Sequence, residues 1–277
     1  TYTKGATLFP QAISMAATWN TEIAKQSGEI TSLETKASGI AWNYYPVMDI
    51  GRQPLWSRLW ETFGEDVYLA SQMGSSYIKG AQGNDMSAPN KLATCLKHYV
   101  GYSFPINGLD RTPAWISERM MREYFLPTFE AGILAGSPSV MVNSGEVDGI
   151  PGHANYHLLT EVLRNELNFK GLVVSDWEDI KRLHTRDGVA STPKEAVRIS
   201  VMAGVDMSMV PYDFSFYNYL LELVNEGIVP MWRIDEAVSR ILAVKMQVGL
   251  FDNPYPDKEL LKDFAKDESL DTYIFCN

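Results

Sequence analysis

The sequence predicts an α/β fold, a parallel (β/α)8 TIM-like barrel, on three observations. Short apolar runs alternate with longer segments of helical period, the pattern of strand and helix units laid on a parallel sheet. One of those runs, Leu172 to Val174, is apolar without interruption, as a strand covered on both faces reads. Several segments that follow the runs are long and carry clusters of polar and aromatic residues. Loops at a barrel mouth have that character, which favours a barrel over an open sheet.

Taken in order, residues 6–9 form a first short apolar run closed by Pro10, and residues 11–38 read as helix with an interruption near Gly28. A strand over residues 40–50 reaches Asp49 and opens into a loop, residues 51–66, holding two tryptophans, two arginines and several acids. Helix over 67–80 and strand over 92–100 follow, then an irregular stretch over 101–115 rich in Gly and Pro. Residues 117–135 are helical with a kink expected at Pro127, and residues 139–143 form a strand leading into SGEVDGIPGHAN. The segment 157–168 places Leu158, Leu159, Val162, Leu163 and Leu167 at helical spacing, and Gly171 follows as a helix terminator before Leu172. Beyond it come helix 194–203, strand 205–210, helix 217–225 and a last helix over 233–248 with a stripe of Ile234, Ala237, Val238, Ile241, Leu242 and Val248. This gives about six strands, so a closed barrel of eight requires at least one before Thr1. Residues 1–250 are read as the barrel domain and the charged, Pro-containing residues 251–277 as a linker leaving it.

Composition narrows the functional classes. The chain has 277 residues, 45% hydrophobic and 12% aromatic, with a formal net charge of −10. That charge argues against a nucleic-acid partner, which needs clustered Lys and Arg, and against an anionic membrane surface. No run approaches the length of about eighteen apolar residues that a membrane span needs. Cys95 and Cys276 are too few for a disulfide scaffold or a metal cluster, and Cys95 lies within a predicted strand as a small core residue. Among the four histidines only His153 and His157 stand four apart, in a context unlike a zinc site, so no metal is expected. No glycine-rich phosphate loop supports an enzyme of phosphorylated metabolites.

Asp176 stands where the Leu172 strand stops. Catalytic groups gather at the carboxyl ends of parallel strands, because the loops there surround a pocket held by a rigid sheet. The competing reading of Asp176 is a cap for the next turn or helix.

Five motifs in order then resemble glycoside hydrolase family 3: YPVMDIG over 45–51, WSRLWETFGED over 56–66, Lys97 with His98, His153 to Asn155, and the GLVVSDW block ending at Trp177. The resemblance runs from about Gly5 to Tyr255. It implies a (β/α)8 barrel followed by a C-terminal α/β sandwich domain, and a retaining, exo-acting β-glycosidase whose common substrates are terminal glucosides and xylosides of oligosaccharides. No cofactor is implied. Asp176 matches the family's nucleophile, and a retaining mechanism needs such an ionised carboxylate plus a second carboxyl roughly 5 Å away to protonate the leaving oxygen. Trp177 matches an aromatic wall of the sugar site, against the alternative of core packing. Arg58, Lys97 and His98 match residues that bind the hydroxyls of the terminal sugar, a set combining a rigid fork, a point charge and a ring nitrogen. For Arg58 the alternative is an ion pair within its acidic loop, with Glu61, Glu65 or Asp66.

Lys97 and His98 pose a geometric problem, since successive side chains on a regular strand point to opposite faces. Both reach one pocket only if the backbone breaks pleat, so a bulge or a cis peptide is expected between them.

The likeness also has gaps. Ser144 falls where some relatives carry a Tyr beside the sugar. The loop YVGYSFPINGLDRTP holds no His that could serve as acid/base, which implies a Glu from the sandwich domain instead, with Glu146 as the candidate inside the chain. A substrate-binding Asp of the family belongs to a strand before Thr1. The rival function is a carbohydrate-binding barrel without turnover. A polymer-derived substrate favours a periplasmic or extracellular location.

Overall fold

The computed structural model describes residues 5–264. The Cys276 position and the end of the expected linker lie outside the described residues. Residues 6–9 do not join a sheet among the described residues: Thr7 donates through N and Oγ1 to the buried Glu34 carboxylate, both at 2.7 Å, which ties the run to a helix instead.

Two helices, α1 (Ala12–Ala17) and α2 (Thr21–Ala37), replace the single interrupted one, and the break falls at residues 18–20, where Trp19 adopts a φ of 55°. Asn20 caps α2 by accepting from Glu22 N at 3.0 Å. Gly28 is therefore not a break but a contact: a Cβ there would lie 2.4 Å from the Tyr77 carbonyl oxygen of α3 (Val67–Gln82). Reciprocally, a Cβ on Gly80 of α3 would lie 2.0 Å from the Lys25 carbonyl oxygen of α2. Each helix presents a glycine to the other's backbone, so the two approach closely.

After β1 (Cys95–Tyr99), the expected helix over 117–135 resolves into α4 (Glu118–Met120), a wide π-helical turn over Met121–Phe125, and α5 (Leu126–Leu134). Pro127 follows that wide turn closely, so the winding of the helix changes beside it. The residue sits in the first turn of α5, where its missing N–H removes no bond. β2 (Ser139–Val142) then leads to a small antiparallel hairpin, β3 (Glu146–Val147) and β4 (Ile150–Pro151). Residues His157–Glu166 are helical as expected, wound as a π-helix, and β5 (Leu172–Val174) follows.

β1, β2 and β5 are hydrogen-bonded side by side and parallel. Parallel bridges Trp42↔Ala93 and Val47↔Lys97 add the 40–50 segment on one edge, and Val174↔Met207 adds the 205–210 segment on the other. Among the described residues the parallel wall thus has five positions. Leu96, Val140 and Val173 are fully buried within it, as uninterrupted apolar runs require.

The remaining helices are α6 (Asp179–Thr185), α7 (Pro193–Ala203), α8 (Ser215–Asn225) and α9 (Met231–Gln247). On α9 the buried spine runs through Ala237 and Val244 to Val248, while Val238 and Leu242 of the expected stripe are more than 40% exposed. A 3-10 turn over Lys258–Asp263 lies in the stretch expected as linker, and Pro256 packs beside Gly39 just past α2.

At the start of the 205–210 segment, three arginines surround one carboxylate. Asp206 Oδ2 accepts from Arg164 Nη2 at 2.7 Å and from the Val173 backbone N–H of β5 at 3.0 Å. Its Oδ1 accepts from Arg233 Nη2 at 3.0 Å and Arg240 Nη1 at 2.9 Å. The arginines spend further donors on carbonyls, Arg164 on Phe169 and Gly171, Arg233 on Val201 and Val205. The cluster fastens β5 to the helices around it.

Candidate active site

Register fixes what meets at the upper end of the wall. Met141 is level with Val174, so Asn143 and Ser144 emerge beside Asp176 and Trp177. Tyr99 is level with Val142, and the register shifts between Leu96 and Tyr99. The Lys97–His98 peptide is cis, as is Tyr99–Val100, so the pleat breaks where the sequence required it to.

Asp176 is buried, and its two oxygens differ. Oδ1 accepts from Trp177 N at 2.6 Å, whereas Oδ2 has no hydrogen-bond partner among the described residues. The backbone N–H of Asp176 donates to His153 Nε2 at 3.1 Å, so His153 carries its proton on Nδ1. Burial pushes His153 down to about 4, which keeps that imidazole a neutral acceptor. Asp176 does not cap α6, which begins after Glu178 without a side-chain cap, and its side chain's part in the turn before that helix is the bond from Trp177 N to Oδ1.

His98 is held from both sides. Its backbone N–H and Nδ1 donate to Asp49 Oδ2 at 2.9 and 2.8 Å. Arg58 Nη2 lies 3.2 Å from Nε2, and since a guanidinium only donates, Nε2 is the acceptor and Nδ1 bears the proton. Burial, then the charges of Lys97 and Arg58, hold His98 well below the usual imidazole range. Burial raises Asp49 to about 7, against the His98 backbone bond and Arg58. The same Nε2 lies 3.9 Å from Asp176 Oδ2.

Arg58 forms the expected pair with Glu61, bidentate at 2.9 Å through Nε and Nη2, yet the pair turns it toward the site. Its Nη1 donates to Tyr102 Oη at 3.2 Å. Lys97 is lowered by burial, opposed by Glu61 and Asp176, and forms no ion pair within 4 Å among the described residues. Arg58, Lys97, His98 and Asp176 are therefore gathered in one place. Trp177 is not a core residue: it is 41% exposed and meets Tyr212 edge-on at 5.8 Å. Ser144 is buried, and its Oγ accepts from Arg111 Nε at 2.9 Å. Glu146 lies on β3, half-buried.

Sequence reasoning passed over Asp49, Tyr102 and Arg111, which orient these groups. Their link to the site is tertiary, across 49 residues in the case of Asp49 and His98. Only Asp49, ending a strand as Asp176 does, carried a signal that could have found it. The two spaced histidines separate, His153 to the site and His157 to Glu161 on the surface. A separate cavity of about 430 Å³, lined by residues 6–12, α2, Tyr45 and Tyr77, holds none of these residues.

Known proteins share this arrangement of chain. The model of the glycosyl hydrolase family 3 N terminal domain matches residues 1–244. A lysosomal beta glucosidase of Dictyostelium discoideum is 51% identical over 263 residues, 92% of this chain and 32% of that protein. A periplasmic beta-glucosidase of Salmonella typhimurium is 36% identical over 249 residues, 90% of this chain and 32% of that protein. The solved β-glucosidase EmGH1 of Erythrobacter marinus is similar with a TM-score of 0.94 at 36% identity, covering 99% of this chain and 36% of that one. The chain spans about a third of the length of the curated relatives it matches. Its sequence and its fold together make this chain a member of glycosyl hydrolase family 3.

Proposed function

We propose that the chain carries the nucleophile and the sugar pocket of a retaining, exo-acting β-glycosidase that removes terminal β-D-glucosyl or β-D-xylosyl residues. The observation that carries this reading is Asp176 Oδ2, a buried carboxylate oxygen with no hydrogen-bond partner among the described residues, at the end of a buried strand. Its lone pairs are available to an anomeric carbon. In the first step Oδ2 bonds to that carbon as the glycosidic C–O bond breaks, and the leaving oxygen takes a proton from a general acid. In the second, water attacks the glycosyl ester, losing its proton to the same group, and Asp176 is released.

Arg58, Lys97 and His98 bind the sugar hydroxyls in this reading. Arg58 and Lys97 donate, while His98, whose Nδ1 is tied to Asp49, takes a hydroxyl through Nε2 when the sugar displaces Arg58 from that nitrogen. Trp177 offers its exposed ring to the sugar or its leaving group. The general acid is a Glu from a C-terminal sandwich domain, since residues 99–113 contain no His. Relatives named beta-glucosidase and beta-xylosidase support the two sugar classes. Relatives named lysosomal and periplasmic support action outside the cytoplasm.

The test is incubation of the full-length protein with a 2-deoxy-2-fluoro-β-glucoside bearing a good leaving group, followed by mass mapping. A glycosyl adduct on Asp176 is expected. Sugar binding without any adduct would favour the carbohydrate-binding barrel.

A further inference from the structure

Arg111 belongs to none of the residues discussed as sugar ligands, yet it is bonded to Ser144, beyond the end of the strand that neighbours Asp176's. Its Nε donates to Ser144 Oγ at 2.9 Å, and its Nη1 to Asp110 Oδ2 at 3.0 Å. Among the described residues its Nη2 makes no hydrogen bond, and the side chain is 36% exposed. Ser144 lies two residues past β2, level with Trp177, so the guanidinium stands at the rim above the nucleophile strand. Its charge reaches His98 and Tyr102.

The loop that delivers Arg111 is anchored at several points. Ile106 N donates to Pro113 O at 2.9 Å, Ala114 N to Glu146 O at 2.9 Å, and Ile116 N to Asp148 Oδ1 at 2.9 Å. Asp110 also accepts from the buried Trp56 indole at 3.0 Å. Arg111 itself adopts a φ of 60°, a backbone conformation that non-glycine residues seldom take and that the surrounding bonds maintain. A guanidinium fixed at two of its three nitrogens, with the third open, is a donor oriented in advance of any ligand.

We infer that Arg111 is a further sugar-binding residue, whose open Nη2 donates to a hydroxyl of the glycoside held beside Asp176. The inference rests on the glycosidase reading for the pocket and adds a specificity contact to it. The alternative is that Arg111 merely fastens its loop to Ser144.

The test uses the full-length protein with Arg111→Met, Arg111→Lys and Ser144→Ala. Glucose and xylose binding is read by calorimetry, KM and kcat on nitrophenyl β-glucoside, and thermal stability by melting temperature. A charge-assisted hydrogen bond predicts that Arg111→Met weakens glucose binding and raises KM by about tenfold to a hundredfold, with partial recovery in Arg111→Lys. Ser144→Ala, which frees Nε, should lose less. Wild-type affinity in Arg111→Met overturns the inference, as does a loss matched by a collapse in melting temperature with normal affinity in Arg111→Lys. Should the wild type bind glucose without hydrolysing glycosides, the catalytic reading fails while the binding comparison still decides the role of Arg111.

Discussion

His98 Nε2 stands 3.9 Å from Asp176 Oδ2, beyond hydrogen-bonding distance, because the same nitrogen accepts from Arg58 at 3.2 Å. The nucleophile candidate is thus approached by a ring that offers it no proton. Asp176→Asn should reduce glycoside turnover by about a thousandfold or more, as loss of a nucleophile does. Because the change leaves Oδ1 to accept from Trp177 N, the melting temperature should be equal to or above that of the wild type, which a thermal scan beside the kinetic assay would check.

The Asp49 and His98 pair makes a prediction about pH. Asp49 is raised to about 7, so on its own it stabilises the fold at low pH and that contribution is lost as pH rises toward 7. His98 is lowered by burial, so its contribution is present above the ordinary imidazole range and lost as pH falls. The two slopes oppose each other between about pH 4 and 6.5. Asp49→Asn removes the first and leaves the second, so the variant should lose stability on acidification more steeply than the wild type. Urea midpoints measured across that range would reveal the difference; parallel curves would contradict the coupling.

Arg58 serves Glu61, Tyr102 and His98 at once. A lysine cannot reproduce a fork with three directed partners. Arg58→Lys should raise KM for nitrophenyl β-glucoside by about tenfold or more, since a charged hydrogen bond to the sugar is lost or misplaced. Steady-state kinetics give the answer, with an unchanged KM counting against a sugar-binding role.

Asp206 holds three guanidiniums, and burial presses one of them, Arg164, down to about 10. Asp206→Asn would leave those charges without their carboxylate, costing about 3–5 kcal/mol of stability. Arg240→Met should cost much less, as Arg240 is 22% exposed. Denaturant titration of both variants separates the two.

Much of the wall was legible because its chemistry is local. The run Leu172–Val174 has no polar residue to place on a solvent face, so a buried strand was the available reading, and Asp176 then had to stand at its end. Lys97 and His98 could share a pocket only on broken pleat, and the backbone breaks there. Gly28 misled for the opposite reason. Its role is set by the Tyr77 carbonyl on another helix, and no neighbour in sequence records that contact. At Pro127 the winding changes, with a wide turn closely before the proline and α5 beginning beside it, a detail that helical spacing alone does not carry. The supports of the site, Asp49 to His98 and Asp110 to Trp56, join distant segments whose pairing only the fold decides.

The Asp206 cluster grips Val173, three residues ahead of Asp176, and among the described residues shares no side-chain bond with the rim loops that hold Arg58 and Arg111. Footing and rim are held by different sets of bonds. Changes made in the loops around the mouth are expected to leave Asp176 at its height, so this framework is a suitable chassis on which to vary those loops.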